Sequence, residues 1–188
     1  YNNTGYVLLG YVIEKVSGQA YRHYLRAHIF EPLGMKDSGY DLSGEILPRR
    51  AAGYDLMGGK AVNTPYLAMS LPYAAGSLYS TVDDLLKWDV ALRGGKVISP
   101  ASVKAMFTDY GFKYGYGQFI GTRDGRPYWE HGGGINGFIT SFGRYPDEGV
   151  TIVVLSNLAR SDMARVAFEA GELYFHPDGK LSFTPPPA

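Results

Sequence analysis

His131-Gly132-Gly133-Gly134-Ile135-Asn136-Gly137-Phe138 is the stretch whose reading decides the fold. Three adjacent glycines leave the main chain without side chains, so a substrate can lie directly against its N–H groups, and a positive φ is open to it. His131 sets one titratable ring beside this bare backbone. From these residues alone two readings stand. One is a glycine-rich loop between two strands with an incidental histidine at its start; the other is a substrate-binding edge flanked by a proton donor or cation.

Both flanks read as strand. Tyr116 to Thr122 and Arg126 to Glu130 flank the turn Arg123-Asp124-Gly125, while Phe138 to Tyr145 and Val150 to Ser156 flank Pro146-Asp147-Glu148-Gly149. The run Val150 to Leu155 is apolar on both faces, which predicts a central strand with helices covering each side. A helix from Ser161 to about Tyr174, with Met163, Val166, Ala167, Ala170 and Leu173 on one side, is the natural cover. Phe183 to Ala188, rich in proline, reads as a tail or linker start, which assigns residues 1–182 to the domain and 183–188 to the tail.

Upstream, Ser80-Thr81 caps a helix running through Leu92 to Gly94-Gly95, and Ser99-Pro100 opens a shorter one through Met106. Asp83 and Asp84 fall in the first turn, where the helix macrodipole alone accounts for carboxylates. Lys36 to Tyr79 has no period; it reads as a long irregular excursion with a short hairpin at Gly58-Gly59, and such stretches usually border a binding site. Before it come two helices. The first, Tyr6 to Val16, is apolar on most sides, which places it in the core, and it stops at Ser17-Gly18. The second, Ala20 to Phe30, has Tyr21, Tyr24, Leu25 and Ile29 on one face and ends at Pro32 and Gly34.

Composition narrows the function classes. A chain of 188 residues, 45% hydrophobic and 19% charged, can bury a real core as one domain. Eighteen acidic and eighteen basic side chains cancel, which argues against nucleic acid as a partner. With no cysteine there is neither a disulfide framework nor a thiolate metal site. The four histidines are dispersed without ligand spacing, so no metal and no cofactor is expected. No apolar run has the length of a membrane span.

Several segments together resemble the serine β-lactamase and penicillin-binding-protein superfamily, and within it the class C β-lactamase-like esterases and peptidases. Tyr1-Asn2-Asn3 followed by Thr4 to Gly10 is similar to the Tyr-x-Asn box opening a helix. Glu31-Pro32-Leu33-Gly34-Met35 follows the second helix, Ala74-Ala75-Gly76 precedes Ser80-Thr81, and His131-Gly132-Gly133 stands in place of the Lys-Thr-Gly box. The resemblance implies an α/β fold of the α+β type, an antiparallel sheet flanked by helices, and acyl transfer through a serine ester on a small-molecule or peptide acyl substrate. Tyr1 would exchange a proton with nucleophile and leaving group; because a phenol ordinarily titrates near ~10, nearby positive charge is needed, and His131 could supply it. Asn3 would donate its amide to the substrate's acyl-side carbonyl. Gly132, Gly133 and Gly134 would present the strand that pairs with the substrate, the Gly134 N–H being one of two oxyanion donors. A histidine in place of lysine makes the local charge sensitive to pH near neutrality and favours the esterase and peptidase branch. The family commonly works outside the cytoplasm, which suggests a periplasmic or extracellular location.

One departure outweighs these matches. The family's nucleophile is the serine of a Ser-x-x-Lys box, and no Ser-x-x-Lys occurs here. The chain therefore reads as the C-terminal portion of a larger hydrolase, incomplete at its N-terminus and inactive by itself. The alternative is a catalytically silent binding or assembly module that retains the cleft. A missing front would leave a strand edge and an apolar helix face exposed, so self-association or pairing with the N-terminal segment is expected.

Overall fold

The computed structural model describes residues 1–178. In chain order it contains α1 (Asn3–Ser17), α2 (Tyr21–Leu25), β1 (Gly39–Tyr40), β2 (Tyr54–Met57), β3 (Lys60–Asn63), β4 (Leu78–Tyr79), α3 (Val82–Arg93), α4 (Pro100–Met106), β5 (Phe119–Arg123), β6 (Arg126–Ile135), β7 (Phe138–Tyr145), β8 (Val150–Ser156) and α5 (Met163–Phe175). This is a mixed α/β architecture with antiparallel sheets and helices. The chain divides into two compact units: Tyr1–Arg50 with Tyr66–Val103, and Ala51–Pro65 with the chain from Lys104 onward. The proline-rich tail predicted at 183–188 lies outside the described residues.

In the first unit α1 starts because Asn2 is extended and its side chain accepts from the Thr4 N–H at 2.7 Å, and it stops at Gly18 in the left-handed region at φ 68°. The core is Tyr21, Leu25, Phe30 and Met35. Residues 21 and 25 share a helical face; Phe30 joins them because Arg26–Phe30 is a π-helical turn, closed by the Glu31 N–H on the Arg26 carbonyl at 3.0 Å. The extra residue rotates Phe30 into the place the sequence pattern gave to Ile29. Burial of α1 is corrected: Gly10 is its one buried residue, seated against Tyr73 and Ala74, while Leu8, Leu9, Tyr11, Val12 and Val16 are exposed. Apolar residues circle the helix, but the unit supplies a packing surface on one side of it.

Asp84 does more than complement a helix dipole. It is 1% exposed and accepts from the Asp37 N–H and the Ser38 hydroxyl, both at 2.8 Å, and pairs with Lys87 at 2.6 Å. Burial is the largest single influence and pushes its carboxyl up, but the bonds from Lys87, Ser38 and Asp37 outweigh it and hold it below the usual carboxylate range. The carboxylate thus fastens the chain after α2 to the start of α3, next to the short β1–β4 pairing.

The second unit holds an antiparallel sheet in the order β5-β6-β7-β8, with α5 against β7 and β8, and the hairpin β2–β3 turning at Gly58-Gly59 as predicted. β7 and β8 have the predicted bounds. Three expectations are corrected. Among the described strands β8 is an edge, paired with β7 alone; its apolar run reflects α5 on one face and partial exposure on the other, where Leu155 is 38% exposed. The packed stripe of α5 is Ala167 and Gly171, with Val166 and Leu173 exposed, because a Cβ at 171 would stand 2.7 Å from the Tyr145 hydroxyl and the helix sits that close. Finally, β6 does not end at Glu130 but continues to Ile135, which agrees with the strand reading of the three glycines and sets aside the loop reading.

Candidate functional site

Tyr1 and Asn3 meet in the first unit. The Tyr1 hydroxyl donates to Asn3 Oδ1 at 2.8 Å, across the first turn that Asn2 caps, and the Tyr1 and Tyr6 rings lie 5.5 Å apart. Both side chains are exposed. Partial burial, followed by the neighbouring Tyr6, raises the Tyr1 phenol above its ordinary value, so it is protonated at neutral pH. A proton-exchanging phenol needs the opposite influence, a cation, to reach it.

The glycine box occupies the second half of β6. Residues 126–130 pair with β5 on one side, the last pair being Phe119 with Glu130, and residues 129–135 pair with β7 on the other. His131 to Ile135 therefore has one paired edge and one open edge among the described strands, and Gly132, Gly133 and Gly134 are exposed. Each glycine also serves the paired side: a Cβ at 133 would stand 2.7 Å from Thr140 Oγ1, and at 132 and 134 it would stand 3.3 Å from the Thr140 carbonyl and Ile139 Cδ1. His131 Nδ1 donates to the Gly132 carbonyl at 2.6 Å. A carbonyl only accepts, so Nδ1 carries a proton in this contact.

At the far end the hairpin turns on Asn136-Gly137, with Gly137 at φ 83°. The Asn136 amide donates to the Pro65 carbonyl at 3.0 Å, and Gly137 lies so close to Gly53 that a Cβ would fall 2.5 Å from its Cα. An open groove of about 430 Å³ runs here, lined by Gly134, Ile135, Asn136, Asp55, Thr64 and Ala159. Hydrogen bonds from Arg160 and from the Leu56 N–H hold the Asp55 carboxyl below the usual range.

The structure thus joins Tyr1 with Asn3 and, within the other unit, His131 with Gly132, Gly133 and Gly134. Residues missed from sequence also flank the glycines: Thr140 beneath Gly133, Asn136 at the tip, and the rings of Tyr114 and Phe119 beside His131. Of these, only Asn136 carried a local signal, an Asn-Gly pair between apolar strands. Among the described residues no group of three His, Asp or Glu side chains gathers as a metal site, and no helix is long and apolar enough to cross a membrane.

The profile of the beta-lactamase family matches residues 1–174. The chain belongs to the beta-lactamase family. This is a family of hydrolases that includes penicillin-binding-protein-like members. The chain is 38% identical over 159 residues to PbpX of Bacillus subtilis, a relative of the penicillin-binding-protein kind, covering 82% of this chain and 39% of that one. Among solved structures it is similar to the octameric penicillin-binding protein homologue from Pyrococcus abyssi, at 32% identity and TM-score 0.84 over 97% of this chain and 44% of the other. It is also similar to the D-amino acid amidase from Ochrobactrum anthropi SV3, at 30% identity and TM-score 0.72 over 84% and 50%. The chain spans about two fifths of the length of the curated relatives it matches, 39% for each of two from Bacillus subtilis.

Proposed function

We propose that this chain is the part of a serine acyl hydrolase that carries the tyrosine and histidine boxes, residues 1–182 forming the C-terminal portion of the catalytic domain. The observation that carries the proposal is the exposed glycine edge of β6, unpaired on the side away from β7, in a member of a hydrolase family. An extended acyl or peptide substrate adds to such an edge by main-chain hydrogen bonds, because no side chain stands in the way. The Gly134 N–H then donates to the oxyanion, a contribution of roughly 10²–10³-fold in rate for such a donor. Tyr1 exchanges the proton, Asn3 holds the acyl-side carbonyl, and His131 is the catalytic ring beside the glycine edge. The attacking serine and its lysine come from outside these 188 residues, since the sequence holds no Ser-x-x-Lys.

Substrates of the ester and D-amino-acid amide or peptide class fit this reading better than a dedicated lactam, because His131 replaces the lysine of the lactamase box; similarity to a D-amino acid amidase supports it. The octameric Pyrococcus abyssi homologue supports self-association. A fluorophosphonate or labelled penicillin probe tests the catalytic reading. The folded parent protein becomes covalently labelled and this chain alone does not; an unlabelled folded parent defeats the proposal.

A further inference from the structure

The open edge of β6 begins where β5 stops pairing, and that point is occupied by aromatic rings. Phe119, the first residue of β5, packs edge-to-face on Tyr114 at 4.8 Å and 75°. Both rings flank the His131 imidazole, Phe119 at 5.5 Å and 33°, Tyr114 at 6.1 Å and 70°. The loop that presents them is firmly built. Asp109 Oδ1 accepts from the N–H groups of Gly111, Phe112 and Lys113 at 2.8, 3.0 and 2.9 Å, the Ile120 N–H reaches the Lys113 carbonyl at 2.8 Å, and Gly115 leaves no room for a Cβ against the Met106 carbonyl.

Main-chain pairing along an open strand supplies affinity but reads no side chain; selectivity has to come from walls and pockets beside the edge. Phe119 is 42% exposed even with Tyr114 packed on it, so an apolar ring surface stands at the start of the edge and Tyr114 limits its movement. We infer that Phe119, backed by Tyr114, is a specificity-determining wall that selects acyl substrates carrying an aromatic or large apolar side chain beside His131. The inference rests on the proposed pairing of substrate with residues 131–135. A ring laid on Phe119 gains both burial and an oriented aromatic contact, worth about five- to tenfold in affinity over a methyl group.

The test is an NMR titration of the chain with two extended ligands, acetyl-D-phenylalanine amide and acetyl-D-alanine amide, following the amides of Gly132 to Gly134. The phenylalanine ligand binds about five- to tenfold tighter. Phe119→Ala brings the two affinities together without weakening the alanine ligand. Phe119→Leu, which keeps apolar bulk and so guards against a misfolded alanine variant, lowers the ratio to about two, and Phe119→Trp retains it. Equal affinities in the native chain, or a ratio that survives both Phe119→Ala and Phe119→Leu, overturns the inference. An N-methylated phenylalanine ligand separates it from the pairing on which it rests. Methylation abolishes the Gly132 to Gly134 shifts if the edge is used; undiminished binding with a Phe119-dependent ratio retires the edge and leaves the wall.

Discussion

The two halves of β6 differ in their strand partners and in the side chains they carry. Residues 126–130 all pair with β5, Trp129 and Glu130 pair with β7 as well, and the segment carries large side chains: Tyr128 is 3% exposed and lies across Gly143, Trp129 stacks on Phe107 at 4.0 Å and 11°, and Glu130 pairs with Arg123 at 2.6 Å. Residues 131–135 are paired on one side and hold three exposed glycines. A strand that is closed spends its side chains on packing, whereas a strand held open for a guest does best without them. Stability should therefore reside in the first half and ligand affinity in the second.

Substitutions that fill space in the closed half should show the largest effect. Gly143→Leu drives a side chain into the Tyr128 ring and should cost about 3 kcal/mol, read as a lower midpoint in urea with unchanged slope. Trp129→Ala, which removes a half-buried ring from its stack, should cost about 2 kcal/mol in the same assay. The open half should respond the other way. Gly133→Ala moves a methyl group toward Thr140 Oγ1 and alters the edge, so stability should change by no more than about 1 kcal/mol while binding of an extended acyl ligand falls about tenfold. If Gly133→Ala unfolds the protein or leaves binding intact, the contrast between the halves is lost.

The smallest effect belongs to the turn that closes the first half. His176 and then Arg126 hydrogen-bond the Asp124 carboxylate, at 2.9 and 2.5 Å, and hold its pKa below the ordinary carboxylate value. Glu148, paired with Arg126 at 3.2 Å, faces the same cluster. A depressed carboxylate contributes stability that is fully present above the unfolded value near ~3.9 and disappears as pH falls through the folded one. Thermal midpoints measured from neutral pH into that acid range should show this loss, and Asp124→Asn should flatten it.

Much of this architecture could be read from the amino acids. β7 and β8 were legible to the residue because alternation and turn chemistry agree at both ends, and Thr81, Ser99 and Gly18 mark helix ends through their own backbone and side-chain chemistry. The second half of β6 was not, because glycine has no strand preference and only the β7 ladder holds residues 132–134 extended. Hydropathy showed that α1 and β8 could be covered on several sides but not what stands beside them. The box at Tyr1 and Asn3 is local, and its two side chains do meet. Phe119 and Tyr114 beside His131 depend on a contact across the sheet that no local spacing encodes.

The apposition of Gly53 and Gly137 carries a consequence for how this scaffold can change. A hairpin slides by pairs of residues, and a slide of β6 past β7 would bring a side chain from Ile135 or Ile139 to the place where two main chains touch. The glycine contact is thus a register stop, and it fixes which amides of β6 look outward. Chain length can drift in the β2–β3 tip without shifting that frame, so new substrate preferences can arise through loop replacement while the oxyanion donor stays where it is.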